Sequence, residues 1–338
     1  MARKLISIFC VTLLLSLSVL TGCSNDQEAS SGSSDSNSSE TYSIGISQIV
    51  EHPALDSSRQ GIIDALAEEG FVEGKNLDIE FQNAQGDMPT AQTIADGFVS
   101  SKKDMIVAIA TPCAQTALNA TKDIPIIVTA ITDPVGAGLV NSLEKPGGNV
   151  TGTSDATPID KQFSLIKSLI PNAKKIGIIY NTSEANSVVQ VENAKKAAQE
   201  LGFEIVEAGI TSVNDIDQTL NSILPQIDVL YTPADNMVAS AMALISNKCT
   251  EKGKAVIGAE EGHVKGGALA TEGIDYYTLG LQTGKIAARV LNGENPGDIP
   301  VSLLEETSLV INEKTAKALG LQIPQDILER AEILKGDE

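Results

Sequence analysis

The sequence predicts an α/β protein of two doubly wound parallel-sheet lobes joined by a hinge of three crossovers. From Tyr42 onward, short β-branched runs alternate with amphipathic helical patterns, the signature of βαβ units whose sheet is covered on both faces. The chain has 338 residues, and the length left beyond its N-terminal segments, about 300, exceeds one ordinary core and suits two. One plan of strand, helix, terminating glycine and strand also occurs twice: Ile44 to Ile79 matches Ile176 to Ile205 in order and approximate spacing.

At the N-terminus, Arg3 and Lys4 precede an apolar run from Leu5 to Leu20, and then Leu20-Thr21-Gly22-Cys23. That run is shorter than the roughly 20 residues a bilayer crossing takes, and no stop-transfer flank follows, so residues 1–22 read as a cleaved signal peptide. A small-residue pair running into a cysteine resembles the lipobox of bacterial lipoproteins, which implies that Cys23 is the first mature residue and carries the lipid, anchoring the chain to the membrane. Residues 24–40 are rich in Ser, Asp and Glu, with Ala29 as their one apolar residue, and 23–40 is expected to be a disordered tether.

The expected strands are 42–49, 77–82, 105–110, 124–130, 175–180, 203–208, 229–232, 255–259 and 306–311. Between them, Ile62, Ala65 and Leu66 form a helical stripe ended by Gly70, and Val188, Val191, Ala194, Ala198 and Leu201 form another ended by Gly202. The turn residues Pro146, Gly147 and Gly148 lead into a short extended stretch that marks the first crossover, with the hinge near Thr151 to Asp155. The Gly-rich stretch after Ala259 and the helical pattern after it return the chain to the first lobe, and a last strand and C-terminal helical segment bring it back. Lobe one is therefore expected over 42–152 plus 275–304, and lobe two over 153–274 plus 305–338.

Composition removes several classes of function. With 44 acidic and 24 basic residues the formal net charge is −20, which argues against nucleic acid as a partner. His52 and His263 are the two histidines, and neither has metal-ligand spacing to Cys113 or Cys249, so no metal site is expected. Nucleophile elbow, Walker A loop, dinucleotide fingerprint and H-E-x-x-H are all missing, so no enzyme and no cofactor are expected. Cys10 leaves with the signal, so Cys113 and Cys249 allow one disulfide without implying it.

In an open α/β sheet, ligands bind beyond the carboxyl ends of the strands. In lobe one these ends carry Ser47, Gln48 and His52, then Thr111-Pro112-Cys113-Ala114, then Thr129-Ala130-Ile131-Thr132-Asp133. Thr111 reads as a helix N-cap with Pro112 in the first turn, so free amides should face the cleft and suit an α-carboxylate; a capped helix without a ligand looks the same. In lobe two, Ser183 reads as an N-cap, with Glu184, Asn186 and Ser187 beside it. Asp235-Asn236 and Glu260 follow two further strands. A ligand ammonium needs a buried carboxylate, for which Asp235 and Glu260 come first and Asp155 next, although each could equally cap a helix. Together these groups suit a zwitterionic amino acid held between closing lobes.

Five segments, TPCAQTALNAT, VTAITDPVGAGLV, PGGNVTGTSD, YNTSEANSVVQ and GAEEGHVKGGALATEGIDYYTLGLQTG, together resemble the ABC importer substrate-binding family that includes tryptophan- and tyrosine-binding lipoproteins, over residues 42–330. The resemblance implies the type I periplasmic-binding fold, an aromatic amino acid as ligand, an ABC permease as partner and an extracytoplasmic location. The residues themselves do not reveal an aromatic pocket: there is no Trp, and Tyr180, Tyr231, Tyr276 and Tyr277 near the cleft or hinge are explained as well by packing. Adhesion to host surface proteins and ligand sensing stand as alternative uses of the same scaffold.

Overall fold

The computed structural model describes residues 41–156, 158–304 and 306–335. The expected signal peptide, the lipidation site Cys23 and the tether lie outside the described residues.

Along the chain come β1 (Tyr42–Gln48), α1 (Pro53–Glu68), β2 (Leu77–Asn83), α2 (Met88–Ser100), β3 (Met105–Ile109), α3 (Thr111–Ala120), β4 (Ile126–Ile131) and β5 (Val150–Ser154). Then follow α4 (Ile159–Leu169), β6 (Lys175–Asn181), α5 (Ala185–Leu201), β7 (Glu204–Ile210), α6 (Ile216–Ile223), β8 (Val229–Thr232), α7 (Asn236–Ser240) and α8 (Met242–Glu251). The chain continues with β9 (Ala255–Gly258), α9 (Glu261–Lys265), β10 (Ala270–Gly273), α10 (Tyr276–Leu291), β11 (Ser302–Leu303), β12 (Ser308–Asn312), α11 (Glu313–Ala318), α12 (Gln325–Leu328) and β13 (Glu332–Leu334).

Two sheets result, in the orders β11-β5-β4-β3-β1-β2 and β13-β12-β10-β9-β8-β6-β7. Every pairing between these strands is parallel except β10 with β12. The chain passes from the first sheet to the second after β5, returns with α10, which packs along α1 and against β4 and β5, and passes back between β11 and β12. These three passages form the hinge.

The second sheet shows why the pattern of apolar residues demands helices on both faces. Ile178, Tyr231 and Ile257 belong to one core with Phe163 of α4 and Val191 of α5, while their neighbours Ile179, Leu230 and Val256 belong to another with Leu220 of α6 and Ile245 of α8. Successive strand side chains point to opposite faces, so runs of Ile, Val and Leu without alternation must be buried twice. Cys113 lies in the core of the first lobe and Cys249 in one of the second, and both are free thiols.

Each expected strand is present to within about two residues. Four others were not anticipated: β5 (VTGTS) and β10 (ATEG) carry Gly and hydroxyl residues of weak strand propensity, and β11 and β13 are very short. The expected C-terminal helical segment is corrected to two short helices and β13, because Pro324 interrupts the pattern and the last residues pair with β12.

The first lobe is tied to the hinge by α1 and α10, whose backbones meet through glycines. A Cβ on Gly61 would fall on the Tyr277 carbonyl, one on Gly280 on the Ser58 carbonyl, and one on Gly284 within 2.6 Å of the Ile62 carbonyl. A chain of buried hydroxyls crosses the same contact: Ser58 meets Thr129 at 3.1 Å, Thr129 meets Thr153 at 3.1 Å, and Thr153 meets Thr283 at 2.7 Å. No helix among the described residues is long and apolar enough to cross a membrane. Gly280→Ala is expected to force α1 and α10 apart and to lower stability by about 1–3 kcal/mol, read as a lower urea midpoint at unchanged slope.

Candidate functional site

A narrow cleft lies between the sheets, at the carboxyl ends of their strands. His52, Leu55, Ala130, Thr132 and Asp155 line it from the first lobe and hinge, Asn186, Ala234, Asp235, Asn236, Ala239 and Glu260 from the second, and Tyr276 from the start of α10. At two strand ends the backbone departs from ordinary geometry. The β4–β5 register shifts between Val128 and Ile131 while Ala130 takes φ 57°, and Ala110, the N-cap position of α3, takes φ 77°. Side-chain-bearing residues rarely occupy that region, and such strain concentrates where side chains must be aimed.

Two expected caps are corrected. Thr111 is the first residue of α3 rather than its cap; its hydroxyl has no hydrogen-bond partner, and it lines a neighbouring small cavity with Asp133, Gly136 and Asn186. Ser183 is exposed and lies one residue ahead of Glu184, which holds the N-cap position of α5. Both differences arise because the chain turns one residue away from where the Ser/Thr preference would start the helix.

The cleft carboxylates fall into two groups. Asp235 caps α7, accepting from the Val238 amide at 2.9 Å and also from the Asn181 amide. Glu184 accepts from the Asn181 side chain at 3.1 Å, the Asn186 side chain at 3.3 Å, and both the amide and side chain of Asn236. These two acids brace the loops of lobe two, and their lone pairs are engaged. Burial, with the Glu184 charge beside it, raises Asp235 to about 7.

The second group sits at the hinge. The Tyr276 hydroxyl donates to Asp155 at 2.6 Å, and the Thr132 hydroxyl donates to the other oxygen at 3.2 Å. Glu260 stands 3.8 Å from His52 of the facing lobe and 3.5 Å from His263, whose other nitrogen meets Thr232 at 3.0 Å. Burial, and then the nearby Asp155 charge, raise Glu260 to about 8, and burial also raises Asp155. Burial lowers His52 to about 4 and His263 to about 3. Glu260 Oε1 and Asn186 Oδ1 have no hydrogen-bond partner within the protein, while His52 faces the Asn236 side chain.

Other sequence candidates lie beneath the cleft. Ser47 donates to the Cys113 thiol at 3.2 Å; Gln48 bonds the Val50 carbonyl, Asp56 and Arg59; and Thr129 belongs to the hydroxyl chain. Pro112, Cys113 and Ala114 are buried in α3, and Ser187 is buried beside Asn186 and Asp235. Thr132 and Tyr276, which the sequence placed near the cleft, line it, and Leu55, Ala234 and Ala239 line it without having been selected, because small or apolar residues give no chemical signal in a sequence. Thr132 also accepts from Gln190 of α5 at 3.2 Å, a hydrogen bond that crosses from lobe to lobe.

Residues 43–335 match the family model described as ABC transporter substrate binding protein. The chain belongs to that family. This substrate-binding protein is 52% identical to a tyrosine-binding protein of Clostridioides difficile over 95% of its own length and 93% of that protein's. Among solved structures, it is similar to an ABC domain from Streptococcus pneumoniae in complex with L-Trp, at 40% identity and TM-score 0.84, covering 87% of this chain and 99% of that one. A ligand-free, open substrate-binding protein with adhesive properties from Clostridium difficile aligns at 52% identity but TM-score 0.68, covering 88% of this chain and 100% of that one.

The raised acids and lowered histidines set opposite pH slopes. Between their ordinary and folded values, Glu260 and Asp235 hold protons in the folded protein that the unfolded chain has released, so stability falls as pH rises from 4.5 through about 8 and from 3.8 through about 7 respectively. The histidines act oppositely, but only below 6.5, above which they are neutral in both states. The ligand-free protein should therefore melt at progressively lower temperature from about pH 6.5 to 8.5, and Glu260→Gln should flatten that slope in a differential scanning series.

Proposed function

We propose that this chain is the extracytoplasmic, lipid-anchored receptor of an ABC importer, and that it binds a free aromatic amino acid between its lobes without converting it chemically. The observation that carries this reading is the hinge cluster. Asp155 and Glu260 are buried side by side, no lysine or arginine lines the cleft, and Glu260 keeps an oxygen without a partner. A buried carboxylate in that position is completed by a cation, and a primary ammonium supplies charge and three donors together. Glu260, with Asp155 behind it, is therefore the first choice of ammonium partner, in place of Asp235, whose oxygens are occupied by backbone amides. The aromatic side chain is supported by the tyrosine-binding and L-Trp-bound relatives. Closure of the lobes around the ligand is then the state that the permease distinguishes from the open one.

A chain beginning at Thr41 should show a thermal shift with tyrosine, tryptophan or phenylalanine and not with the other common amino acids. At a ligand concentration of 100 times Kd the gain is about 2.7 kcal/mol. A flat panel would overturn the reading. Glu260→Gln should weaken binding by about 3–5 kcal/mol. In the parent protein an arriving ammonium lowers the Glu260 pKa, so binding at pH 7 should release close to one proton, about 0.5–1, seen by calorimetry as a dependence of binding enthalpy on buffer ionisation.

Anchoring rests on Cys23. Cys23→Ser should abolish incorporation of labelled palmitate and move the protein from the membrane fraction to the medium, whereas unchanged fractionation would remove the lipid anchor from the proposal. The adhesive properties of the relative at 52% identity support a second, concurrent use of the exposed surface in contact with host proteins. Binding of the purified chain to immobilised matrix or host-cell surfaces tests it.

A further inference from the structure

Gln162 and Gln190 are both buried glutamines of lobe two, and they differ in where their partners lie. Gln162 donates to the Ala259 and Glu272 carbonyls at 3.1 Å each and accepts from the Tyr231 hydroxyl at 2.6 Å, all within that lobe. Gln190, in the second turn of α5 and 1% exposed, accepts from the Ala234 amide at 2.9 Å and donates to the Ala234 carbonyl at 3.2 Å. The same nitrogen donates across to the Thr132 hydroxyl of lobe one, also at 3.2 Å.

Ala234 offers a donor to the carboxamide oxygen and an acceptor to its nitrogen, so an N–H and not a carbonyl faces lobe one. Thr132 is the matching half: its hydroxyl donates to Asp155 at 3.2 Å, which leaves its lone pairs to accept from Gln190. Asp155 in turn takes the Tyr276 hydroxyl at 2.6 Å. From α5 to the hinge acid the donors run in one direction, an order in which each bond polarises the next. Gln190 does not line the cleft, whereas His52 and Asn236, which also face each other across the lobes, do. Because the carboxamide is aimed by its own lobe, little side-chain freedom is lost when the bond to Thr132 forms. Parting the lobes hands both groups to water, which for a hydrogen bond of ordinary net strength changes the open-to-closed ratio about two- to tenfold.

We propose that Gln190 is a latch between the lobes, a positioning residue that holds α5 to Thr132 and sets how long a ligand stays enclosed without contacting that ligand. The inference rests on a ligand held between the lobes and not on its being aromatic. The test is a double-mutant cycle of Gln190→Met and Thr132→Val, with Thr132→Ser as the variant that keeps the hydroxyl. Dissociation of tyrosine or tryptophan is followed by stopped flow. Lobe separation is read from the distance between spin labels on Lys122→Cys and Lys252→Cys, both exposed sites, while the native Cys113 and Cys249 are buried. Each single change should speed dissociation about two- to tenfold and alter association less than about twofold. The double variant should be no faster than the faster single one, and Thr132→Ser should match the parent. Unchanged dissociation in either single variant, effects that multiply in the double variant, or a Thr132→Ser protein as fast as Thr132→Val overturns the proposal. A lowered melting temperature with an unchanged dissociation rate marks a purely structural role and overturns it too. If Gln190→Met does not fold, the comparison of Thr132→Val with Thr132→Ser decides. A parent protein that binds neither tyrosine nor tryptophan removes the ligand reading, and the latch is then judged on label distances in the ligand-free proteins. There Gln190→Met and Thr132→Val must shift the distances outward from those of the parent and Thr132→Ser, and unshifted distances overturn it.

Discussion

A carboxylate held between two closing lobes loses the water that stabilises its charge, and the structure answers that loss in two ways. Asp235 and Glu184 are given backbone amides and asparagine side chains, so their charge is spread over the loops they hold. Asp155 and Glu260 receive only a tyrosine and a threonine hydroxyl between them, with two histidines near but not bonded to Glu260. The cleft therefore keeps an electrostatic deficit at one end, and the position of that deficit defines what a ligand must bring.

The scaffold fixes this deficit in place from both sides. Glu260 follows β9 at the start of α9, Asp155 follows β5, and Tyr276 opens α10, so the three groups arrive from two of the three passages of the hinge and from the adjoining lobe. The glycine contacts between α1 and α10 set His52 and Tyr276 on a common rigid base, because two helices that meet backbone to backbone leave no side-chain layer to slide. The hydroxyl chain from Ser58 to Thr283 continues the same base through β4 and β5.

Much of this was legible in the sequence. Unbroken runs such as MIVAI and IIVTA can be buried on both faces only in a parallel sheet under helices, and they fixed the fold class. Reading residues directly after strands found Asp155, Asn186, Asp235, Asn236 and Glu260, all of which line the cleft. Distinguishing the acids was out of reach, because whether a carboxylate is occupied depends on amides from distant parts of the chain, as when Asn181 reaches Asp235. His52 named itself only as a residue after a strand, since its burial comes from the approach of lobe two. The starts of α3 and α5 were each displaced by one residue because backbone geometry at Ala110 and Glu184, rather than a side-chain cap, begins those helices.

The two remaining thiols carry a separate implication. Cys113 and Cys249 lie in different cores, and burial pushes each up to about 12, far from the thiolate form that reacts with oxidants or disulfides. Unpaired, buried and protonated, they leave the fold of the described residues resting on packing and hydrogen bonds rather than on a covalent cross-link.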